Sequence, residues 1–329
     1  MKVSILVPIY NVDLYIERCA RSLFEQTYRE IEYLFIDDCT PDKSISILKD
    51  VMAQYPERAS HVTIIRHDIN RGLAAARNTA VANCKTEWLL HVDSDDWLER
   101  NAVELLVNKQ DETGADIVSG RAMRHTPEGK EIFIISEDDE RDKFILSVLG
   151  YDFKHVIWNR LIRSSLYDKG RIRAEEGTNL GEDLQVMPRL AWNAQLFSHI
   201  GVVTYHYDCM NTTSYVYNKE KNYRRNALEQ DYRSLEIVKD FFADKDLIYK
   251  NRIAESEEQM LYSQLYIAAH NSDKEHYQKV RRLLCHVGDY LPESKLQRGS
   301  IKTFVENHYT LLRMSFPVRR FLVRFRSKR

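Results

Sequence analysis

The stretch Trp88-Leu89-Leu90-His91-Val92-Asp93-Ser94-Asp95-Asp96-Trp97 decides the fold, because an apolar strand pattern runs directly into three carboxylates. Carboxylates this close repel one another unless a cation sits among them. A strand that ends in Asp-x-Asp directs two hard oxygen donors to one point, which suits a Mg2+ or Mn2+ ion that also holds a diphosphate. An acidic loop in which Asp95 or Asp96 caps the next helix fits the same stretch taken alone. The surrounding sequence has to decide.

Around this stretch, short β-branched runs alternate with helical patterns. The predicted strands are Val3 to Val7, Tyr33 to Ile36, Val62 to Ile65, Trp88 to Val92 and Ile117 to Ser119. The predicted helices between them are Leu14 to Phe24, Ile45 to Tyr55, Leu73 to Asn83 and Ala102 to Asn108. This alternation predicts βαβ units, and therefore an α/β fold with a mostly parallel sheet flanked by helices.

Polar segments follow four of these strands: Pro8 to Asn11, Asp37-Asp38, Arg66 to Arg71 and Asp93 to Asp96. Ligands of parallel sheets bind at the carboxyl ends of the strands. We therefore expect the four loops to meet in one crevice.

The rest of the chain is less regular. Residues 121 to about 215 mix short strands with a helix near Leu184 to Ala194, which is typical of a lid or an acceptor-side extension. We predict a catalytic domain over residues 1–215 and a helical appendage over 216–310. Residues 311–329 are basic and apolar without any acid, a pattern typical of an interfacial helix on anionic lipid. A solvated tail, or a helix packed on its own protein, fits that segment as well.

Composition excludes several classes of protein. The chain has 329 residues, of which 43% are hydrophobic and 29% charged, so it can bury a real core. No apolar run is long enough to span a bilayer and no signal-peptide pattern is present, so we expect a cytoplasmic protein, possible contact with the inner membrane aside. A net charge of −1 argues against nucleic acid as a partner. The five cysteines are scattered and indicate neither disulfides nor a zinc site.

A series of short motifs then follows in order: Ser4 to Asn11, Ser22 to Tyr28, Phe35 to Asp42, Asn70 to Asn78, Asp93 to Asp96, Trp158 to Leu161 and Gly181 to Asp183. Over residues 3 to about 215 the chain thereby resembles a bacterial family 2 glycosyltransferase with the GT-A fold. Cys39 stands where the family commonly has glycine, and we expect little effect from this departure. The resemblance implies an inverting transfer of a sugar from a UDP-sugar to an acceptor hydroxyl, with Mn2+ or Mg2+ as cofactor. The implied acceptor is a growing surface-polysaccharide glycan on a lipid carrier.

The resemblance and the chemistry of the residues together suggest a nucleotide site. Asp38 can accept the N3 proton of uracil, Tyr10 can stack on the ring, and the backbone near Pro8 can complete the slot. Asp37 is expected instead to satisfy backbone groups of its loop.

The metal motif divides into roles in the same way. The resemblance implies that Asp95 binds the metal and that Asp93 and Ser94 face the ribose or the metal's waters. Asp96 is expected to cap the next helix. Arg71 and Arg77 can each reach the diphosphate or brace a carboxylate, and the sequence does not choose between them.

Asp183 is the candidate catalytic base, since a sugar hydroxyl needs a carboxylate within hydrogen-bond reach to remove its proton. The alternative is that Glu182 and Asp183 are ordinary acids of a first helical turn. Trp97 and Trp158 can line a sugar site or belong to the core, and His91 and His206 show no metal-ligand spacing.

Other functions fit less well. A dinucleotide-binding oxidoreductase needs glycines in its first turn, and Pro8 to Asp13 contains none. A glycosidase uses two carboxylates but ordinarily neither nucleotide nor cation. A nucleotidyltransferase, or a nucleotide-sugar binding module without catalysis, remains as the alternative.

Overall fold

The structure is a computed structural model that describes residues 1–152, 154–211, 221–270 and 273–287. The predicted basic tail, 311–329, lies outside the described residues. Two compact units are distinguished: the described residues up to 211 with 230–241 form the first, and the remaining helical residues form the second. The predicted boundary near residue 215 stays a prediction.

Four strands form the parallel part of the sheet: β1 (Val3–Ile9), β2 (Ile31–Asp37), β3 (Val62–Arg66) and β4 (Trp88–His91). They lie in the order β3-β2-β1-β4, and every residue of β1 is buried. A strand that is covered on both faces has a continuous apolar sequence, and β1 has one. The predicted strands are confirmed, and their carboxyl ends share one edge of the sheet.

Five further strands complete the same sheet: β5 (Trp97–Leu98), β6 (Ile117–Thr126), β7 (Gly129–Ile134), β8 (Arg160–Arg163) and β9 (Phe197–Asp208). The order continues β4-β8-β6-β9-β5, and β7 pairs with β6. β8 runs antiparallel to β4 and β6, so it separates two strands that the alternation pattern treats as neighbours. Much of the region after residue 121 is therefore sheet, where the sequence indicated a lid or an extension.

The helices up to residue 193 are α1 (Ile16–Phe24), α2 (Ser44–Met52), α3 (Pro56–Ala59), α4 (Leu73–Asn83), α5 (Ala102–Thr113), α6 (Arg141–Val148), α7 (Ser165–Asp168) and α8 (Glu182–Asn193). α1, α2, α4, α5 and α8 lie where the pattern places them, with ends that differ by a few residues, whereas α3, α6 and α7 were not predicted. The predicted α4 matches at both ends.

Helix α4 matters most for the site, because it brings Arg77 beneath the carboxyl edge of the sheet. Ala74, Ala75, Ala76 and Ala80 are buried on it, and such small side chains keep its backbone close to its neighbours. Gly72 precedes the helix with φ +85°, a conformation that glycine adopts without strain.

The helical region continues with α9 (Lys221–Phe241), α10 (Leu247–His270) and α11 (Lys274–Val287). In the second unit α10 and α11 pack against each other, and Ile253, Leu261, Leu265, Val280 and Leu284 are buried there. Among the described residues, no helix is both long and apolar enough to cross a membrane.

Candidate active site

The loop after β1 is held by the carboxylate of Asp42. Asp13 N donates to Asp42 Oδ2 at 2.8 Å, and the hydroxyls of Thr40 and Ser44 donate to the same carboxylate at 2.7 Å. Thr40 Oγ1 in turn accepts from Asn11 N at 2.8 Å. Burial acts to raise the pKa of Asp42, but the hydrogen bonds from Ser44 and Thr40 outweigh it and the pKa is lowered. This network fixes the turn that carries Pro8 and Tyr10.

Pro8 and Tyr10 differ sharply in exposure. Pro8 is buried at the end of β1, beyond the last residue pair with β4, Leu6 with His91. The Tyr10 side chain is 42% exposed, so its ring is accessible to a ligand.

Asp38 is buried and its carboxylate accepts three hydrogen bonds. His67 Nδ1 and Arg71 N lie 2.7 and 2.8 Å from Oδ1, and Gly72 N lies 2.7 Å from Oδ2. Asp38 therefore ties the end of β2 to the start of α4. A carboxylate offers about four lone-pair sites, so one site on Oδ2 is left for a further donor.

Asp37 has the role that the sequence suggested for it. Its Oδ1 accepts from Thr40 N at 2.9 Å, and Arg66 Nη1 lies 3.2 Å from Oδ2. Beside it is an open cavity of about 410 Å3, which is lined by Arg66, His67, Asp68, Ile69 and Arg71.

Arg71 lies on the rim of this cavity with its guanidinium paired to Glu176. Arg71 Nη2 is 2.7 Å from Oε1 and 2.9 Å from Oε2 of Glu176. Both side chains are about half exposed, so water screens the pair and a competing anion can replace Glu176 at little cost.

Asp96 does not cap a helix. The next helix, α5, begins at Ala102, and Asp96 is fully buried where it accepts from the Tyr205 hydroxyl at 2.7 Å and from Asp208 N at 2.8 Å. Burial raises the pKa of Asp96 well above its ordinary value, and the neighbouring Asp95 adds to the rise. Asp96 therefore fastens the acidic loop to the end of β9.

Asp95 is held from two sides. Asn211 Nδ2 donates to Asp95 Oδ2 at 2.8 Å, and Arg18 Nη2 donates to the Asp95 carbonyl at 2.7 Å. Burial, followed by the charge of Asp93, raises the pKa of Asp95 to about 6. A partly buried carboxylate near other acids favours any change that neutralises it, including the arrival of a cation.

Arg77 joins the acidic loop to the start of α8. Its Nη2 lies 2.7 Å from Asp93 Oδ1, its Nη1 lies 2.6 Å from Glu182 Oε1, and Nη1 also contacts Asp183 Oδ1. Burial acts to lower the pKa of Arg77, but the charges of Asp183, Asp93 and Glu182 outweigh it and raise the pKa. We call Arg77, Asp93, Glu182 and Asp183 the arginine cluster.

Asp183 lies in the first turn of α8, at the edge of a small cavity of about 10 Å3. Its Oδ1 contacts Arg77, and its Oδ2 accepts a 3.3 Å hydrogen bond from Ile157 N. Burial raises the pKa of the Asp183 carboxyl, whereas the charge of Arg77 opposes the rise. Burial also raises the pKa of Glu182, and the charge of Asp183 adds to that rise.

The conspicuous aromatic residues are part of the packing. Trp97 is stacked on His206 with centroids 4.8 Å apart, and the Arg18 guanidinium lies 3.8 Å from the Trp97 centroid. Trp158 is 4% exposed and stacks on Tyr205. Neither indole offers a free face to a sugar ring.

The histidines also have structural partners. His91 Nε2 is 2.9 Å from the Tyr167 hydroxyl, and burial lowers the pKa of His91 to about 3. His206 bonds to His125 and to Glu99.

The donor atoms around Asp95 suit a hard divalent cation. Within the described ranges, no three His, Cys, Asp or Glu side chains are placed to hold a metal by themselves. Mg2+ and similar ions in nucleotide sites take only one or two protein carboxylates and complete their shell with phosphate and water. Oδ1 of Asp95 and Oδ2 of Asp93 are the carboxylate oxygens not used in the contacts described above, so these residues fit such an ion.

Sequence reasoning missed several residues that shape the site. Arg18 and Asp208 form a 2.6 Å ion pair beside Asp95, and Tyr205 supports Asp96. These residues are 77 to 190 positions from their partners, and no local pattern could have indicated them. Asp42 was recognisable, because it ends the motif Phe35 to Asp42 that the sequence already singled out.

A profile described as glycosyl transferase family 2 matches residues 4–172. The chain belongs to this family. The chain is 32% identical over 194 residues to glycosyltransferase GlyA of Streptococcus pneumoniae, a match covering 55% of the chain and 27% of GlyA. It is 29% identical over 188 residues to the uncharacterized glycosyltransferase EpsJ of Bacillus subtilis, covering 55% of the chain and 53% of EpsJ. The match therefore spans about half or less of the length of these two relatives.

Solved structures show the same fold as this chain. TarS residues 1–349 of S. aureus, in complex with UDP-GlcNAc, align with a TM-score of 0.56 at 18% identity over 85% of the chain and 90% of TarS. The mannosyltransferase PcManGT of Pyrobaculum calidifontis, in complex with GDP-Man and Mn2+, aligns with a TM-score of 0.55 at 16% identity over 95% of the chain and 83% of PcManGT. The GT-A fold and the family expected from the motifs are confirmed.

Proposed function

We propose that this protein is an inverting, metal-dependent glycosyltransferase that moves a sugar from a UDP-sugar to an acceptor hydroxyl. The observation that carries the proposal is the arginine cluster, in which Arg77 joins Asp93 of the metal motif to the candidate base Asp183. Asp93, an acid of the proposed nucleotide site, and Asp183, the proposed proton acceptor, thus lie close together although they are about ninety residues apart in the chain.

The nucleotide is proposed to bind along the carboxyl edge of β1 and β2. Tyr10 offers an exposed ring for stacking, and the open position on Asp38 Oδ2 can accept the N3 proton of uracil. Arg71 would leave Glu176 and pair with the diphosphate, since an exposed ion pair costs little to exchange. The complex of TarS with UDP-GlcNAc supports a nucleotide-sugar donor.

Asp95 is the proposed metal ligand, with Asp93 and Ser94 facing the ribose or the metal's waters. Bound there, Mn2+ or Mg2+ would neutralise charge that builds on the departing diphosphate. Asn211 and Arg18 keep the Asp95 side chain and carbonyl in place for this role. The Mn2+ in the PcManGT complex supports a divalent cation.

Asp183 is the proposed base. As the acceptor oxygen forms its bond to the anomeric carbon, its proton passes to Asp183 Oδ2 and the bond to the diphosphate breaks on the opposite face. UDP leaves with the bonding electron pair, and the single displacement inverts the anomeric centre.

A thermal shift assay tests the donor site. UDP is expected to raise the melting temperature when Mn2+ or Mg2+ is present and to have much less effect in EDTA, because a ligand of the native state alone stabilises it by mass action. GDP at the same concentration is the matched control for base recognition. Equal melting with and without UDP and metal would argue against the nucleotide site.

We also propose that the acceptor is a glycan on a lipid carrier at the inner-membrane surface, reached from the cytoplasm. The basic sequence of residues 311–329 supports the contact with an anionic membrane surface. A relative from Bacillus spizizenii, 36% identical over 122 residues and described as a poly(ribitol-phosphate) beta-glucosyltransferase, supports a polysaccharide acceptor. Sedimentation with anionic vesicles is expected to be lost when the chain ends at Thr310, and UDP release should be unchanged. Unaltered sedimentation of the shortened chain would refute the membrane contact.

A further inference from the structure

Arg77 is the residue whose role extends furthest beyond the motifs. It lies in the second turn of α4, and the three carboxylates on it come from positions 16, 105 and 106 residues away. Its side chain is only 7% exposed. No other cation among the described residues contacts both the loop after β4 and the start of α8.

We propose that Arg77 is a positioning residue whose guanidinium holds Asp183 and Asp93 in one fixed arrangement, so that the proton acceptor stays aligned with the donor. The inference rests on the proposed function. In this proposal Arg77 contacts neither the transferred sugar nor the acceptor. It affects the reaction only through Asp183 and Asp93.

The shape of the guanidinium explains why an arginine stands here. Its two terminal nitrogens serve different segments: Nη1 serves Glu182 and Asp183, and Nη2 serves Asp93. A planar fork fixes the angle between such partners, whereas an ammonium group is a single point with no preferred plane. A lysine would keep the charge and lose the alignment.

The same contacts argue against Arg77 as a ligand of the diphosphate. Both terminal nitrogens are already used inside the protein, and the residue is 6% exposed. Turning the guanidinium toward a phosphate would leave Asp93, Glu182 and Asp183 close together without a counter-charge, which is costly in a buried site. Arg71, exposed on the cavity rim, is the arginine that can move.

The contact also selects which oxygen of Asp183 does the work. Oδ1 is held by Arg77, so Oδ2, with one long hydrogen bond from Ile157 N, remains able to take a proton. The charge of Arg77 favours the ionised form of Asp183 against the effect of burial. Loss of that charge is therefore expected to protonate the base at a higher pH.

Arg77→Gln and Arg77→Lys separate the two contributions. UDP release is measured across pH with wild type and variants on a donor panel of UDP-GlcNAc, UDP-glucose, UDP-galactose and GDP-mannose, and UDP affinity is measured by calorimetry with Mn2+. We expect kcat to fall by ~100-fold for Arg77→Gln, since misplacement of a reacting group by about 1 Å costs this much. The acid limb of its pH–rate profile, where turnover falls as Asp183 becomes protonated, should shift to higher pH by about one unit. Arg77→Lys should lose kcat by ~10-fold or more and leave the acid limb near its wild-type position.

Arg58→Lys is the matched control. Arg58 is equally buried, but its guanidinium donates to the backbone carbonyls of Gln26, Tyr28 and Arg29, away from the arginine cluster. This variant should lose stability in urea yet keep kcat and the pH profile. UDP affinity should stay within roughly threefold of wild type in both Arg77 variants, because positioning acts on kcat.

Three results would overturn the inference. An Arg77→Gln enzyme with kcat within roughly threefold of wild type and an unmoved acid limb would remove Arg77 from positioning. A parallel loss of UDP affinity and kcat would make Arg77 a diphosphate ligand. A wild-type protein that releases no nucleotide from any donor would overturn the proposed function and this inference together, whereas the first two results leave the proposed function intact.

Discussion

Two acidic regions of this molecule use the same side chain in opposite ways. Around Asp38 and Asp42, each carboxylate accepts three or more hydrogen bonds from backbone, hydroxyl or imidazole groups. Around Asp95 and Asp183, acids outnumber the cations and burial raises their pKa values. The first region is a rigid frame beside the proposed nucleotide site, and the second is a site of unbalanced charge that a cation or a proton relieves. The two regions differ in how many hydrogen-bond donors face each carboxylate, and this difference separates a structural frame from a site that takes up a cation or a proton.

The largest expected effect comes from the unbalanced region. Asp183→Asn removes the proton acceptor while it keeps the size of the side chain, so the transfer rate should fall by ~100-fold or more. UDP affinity in the presence of Mn2+, measured by calorimetry, should change little.

Asp168→Asn is the control, because Asp168 lies in α7 and takes no part in the site contacts. If Asp183→Asn enzyme turned over at the wild-type rate, Asp183 would be an ordinary acid of a helical first turn and not the base.

A pH series on stability gives an effect of intermediate size. The folded pKa of Asp95, about 6, lies above its ordinary value, so the folded state holds the proton more tightly than the unfolded state. The stability of the metal-free protein should then fall as pH rises from about 4 to about 6, and the cost persists above that range. Asp95→Asn should remove this cost and stabilise the metal-free protein by about 1 to 3 kcal/mol at pH 8, measured by urea unfolding.

Asp42→Asn is the matched test of the comparison and should have the opposite sign. The pKa of Asp42 is lowered on folding, so its stabilisation is present above the ordinary value near pH 4 and is lost as pH falls through the folded pKa. Its replacement should destabilise the protein by about 1 to 3 kcal/mol at neutral pH. If Asp42→Asn and Asp95→Asn changed the free energy of unfolding equally at pH 8, the distinction between a frame and a charged site would be wrong.

The smallest expected effect concerns the frame itself. Cys39 has φ +56°, a left-handed conformation, at the position where the family commonly has glycine. Cys39→Gly should relieve this strain and raise the free energy of unfolding by about 1 kcal/mol. Cys84→Gly is the control, because Cys84 has φ −66° and no strain to relieve. An equal or negative change at Cys39 would show that its Sγ contact with the Asp68 carbonyl offsets the backbone cost.

Most strands and helices before residue 120 were predictable because each is a local pattern of about ten residues or fewer, whereas α3 and β5, with four and two residues, are too short to show one. Helix α4 was predicted from Leu73 to Asn83, and these are its observed ends. Strand β8 was not predicted, because Arg160 to Arg163 is short and contains two arginines, which only the sheet context buries or covers. The placement of β8 between β4 and β6 depends on pairing between residues 41 to 75 positions apart.

The candidate site shows the same division. Asp38, Asp93, Asp95 and Asp183 were chosen from motifs, and the structure brings the last three residues and their partners into neighbouring networks. The choice between Arg71 and Arg77 could not be made from the sequence, because both lie in one motif and both are cations. Only their surroundings differ: Arg71 is exposed against Glu176, and Arg77 is buried among three acids.

The sequence by itself determined the parallel α/β half of the sheet, the family and the residue types at the carboxyl edge, since alternation, strand ends and motif order are properties of neighbouring residues. The tertiary structure alone decided that Asp96 supports β9, that Trp97 and Trp158 are packed away, and that Arg77 unites Asp93 with Asp183. The physical reason is that hydrogen bonding and burial depend on distances in space, and in this molecule the decisive contacts join residues up to 112 positions apart.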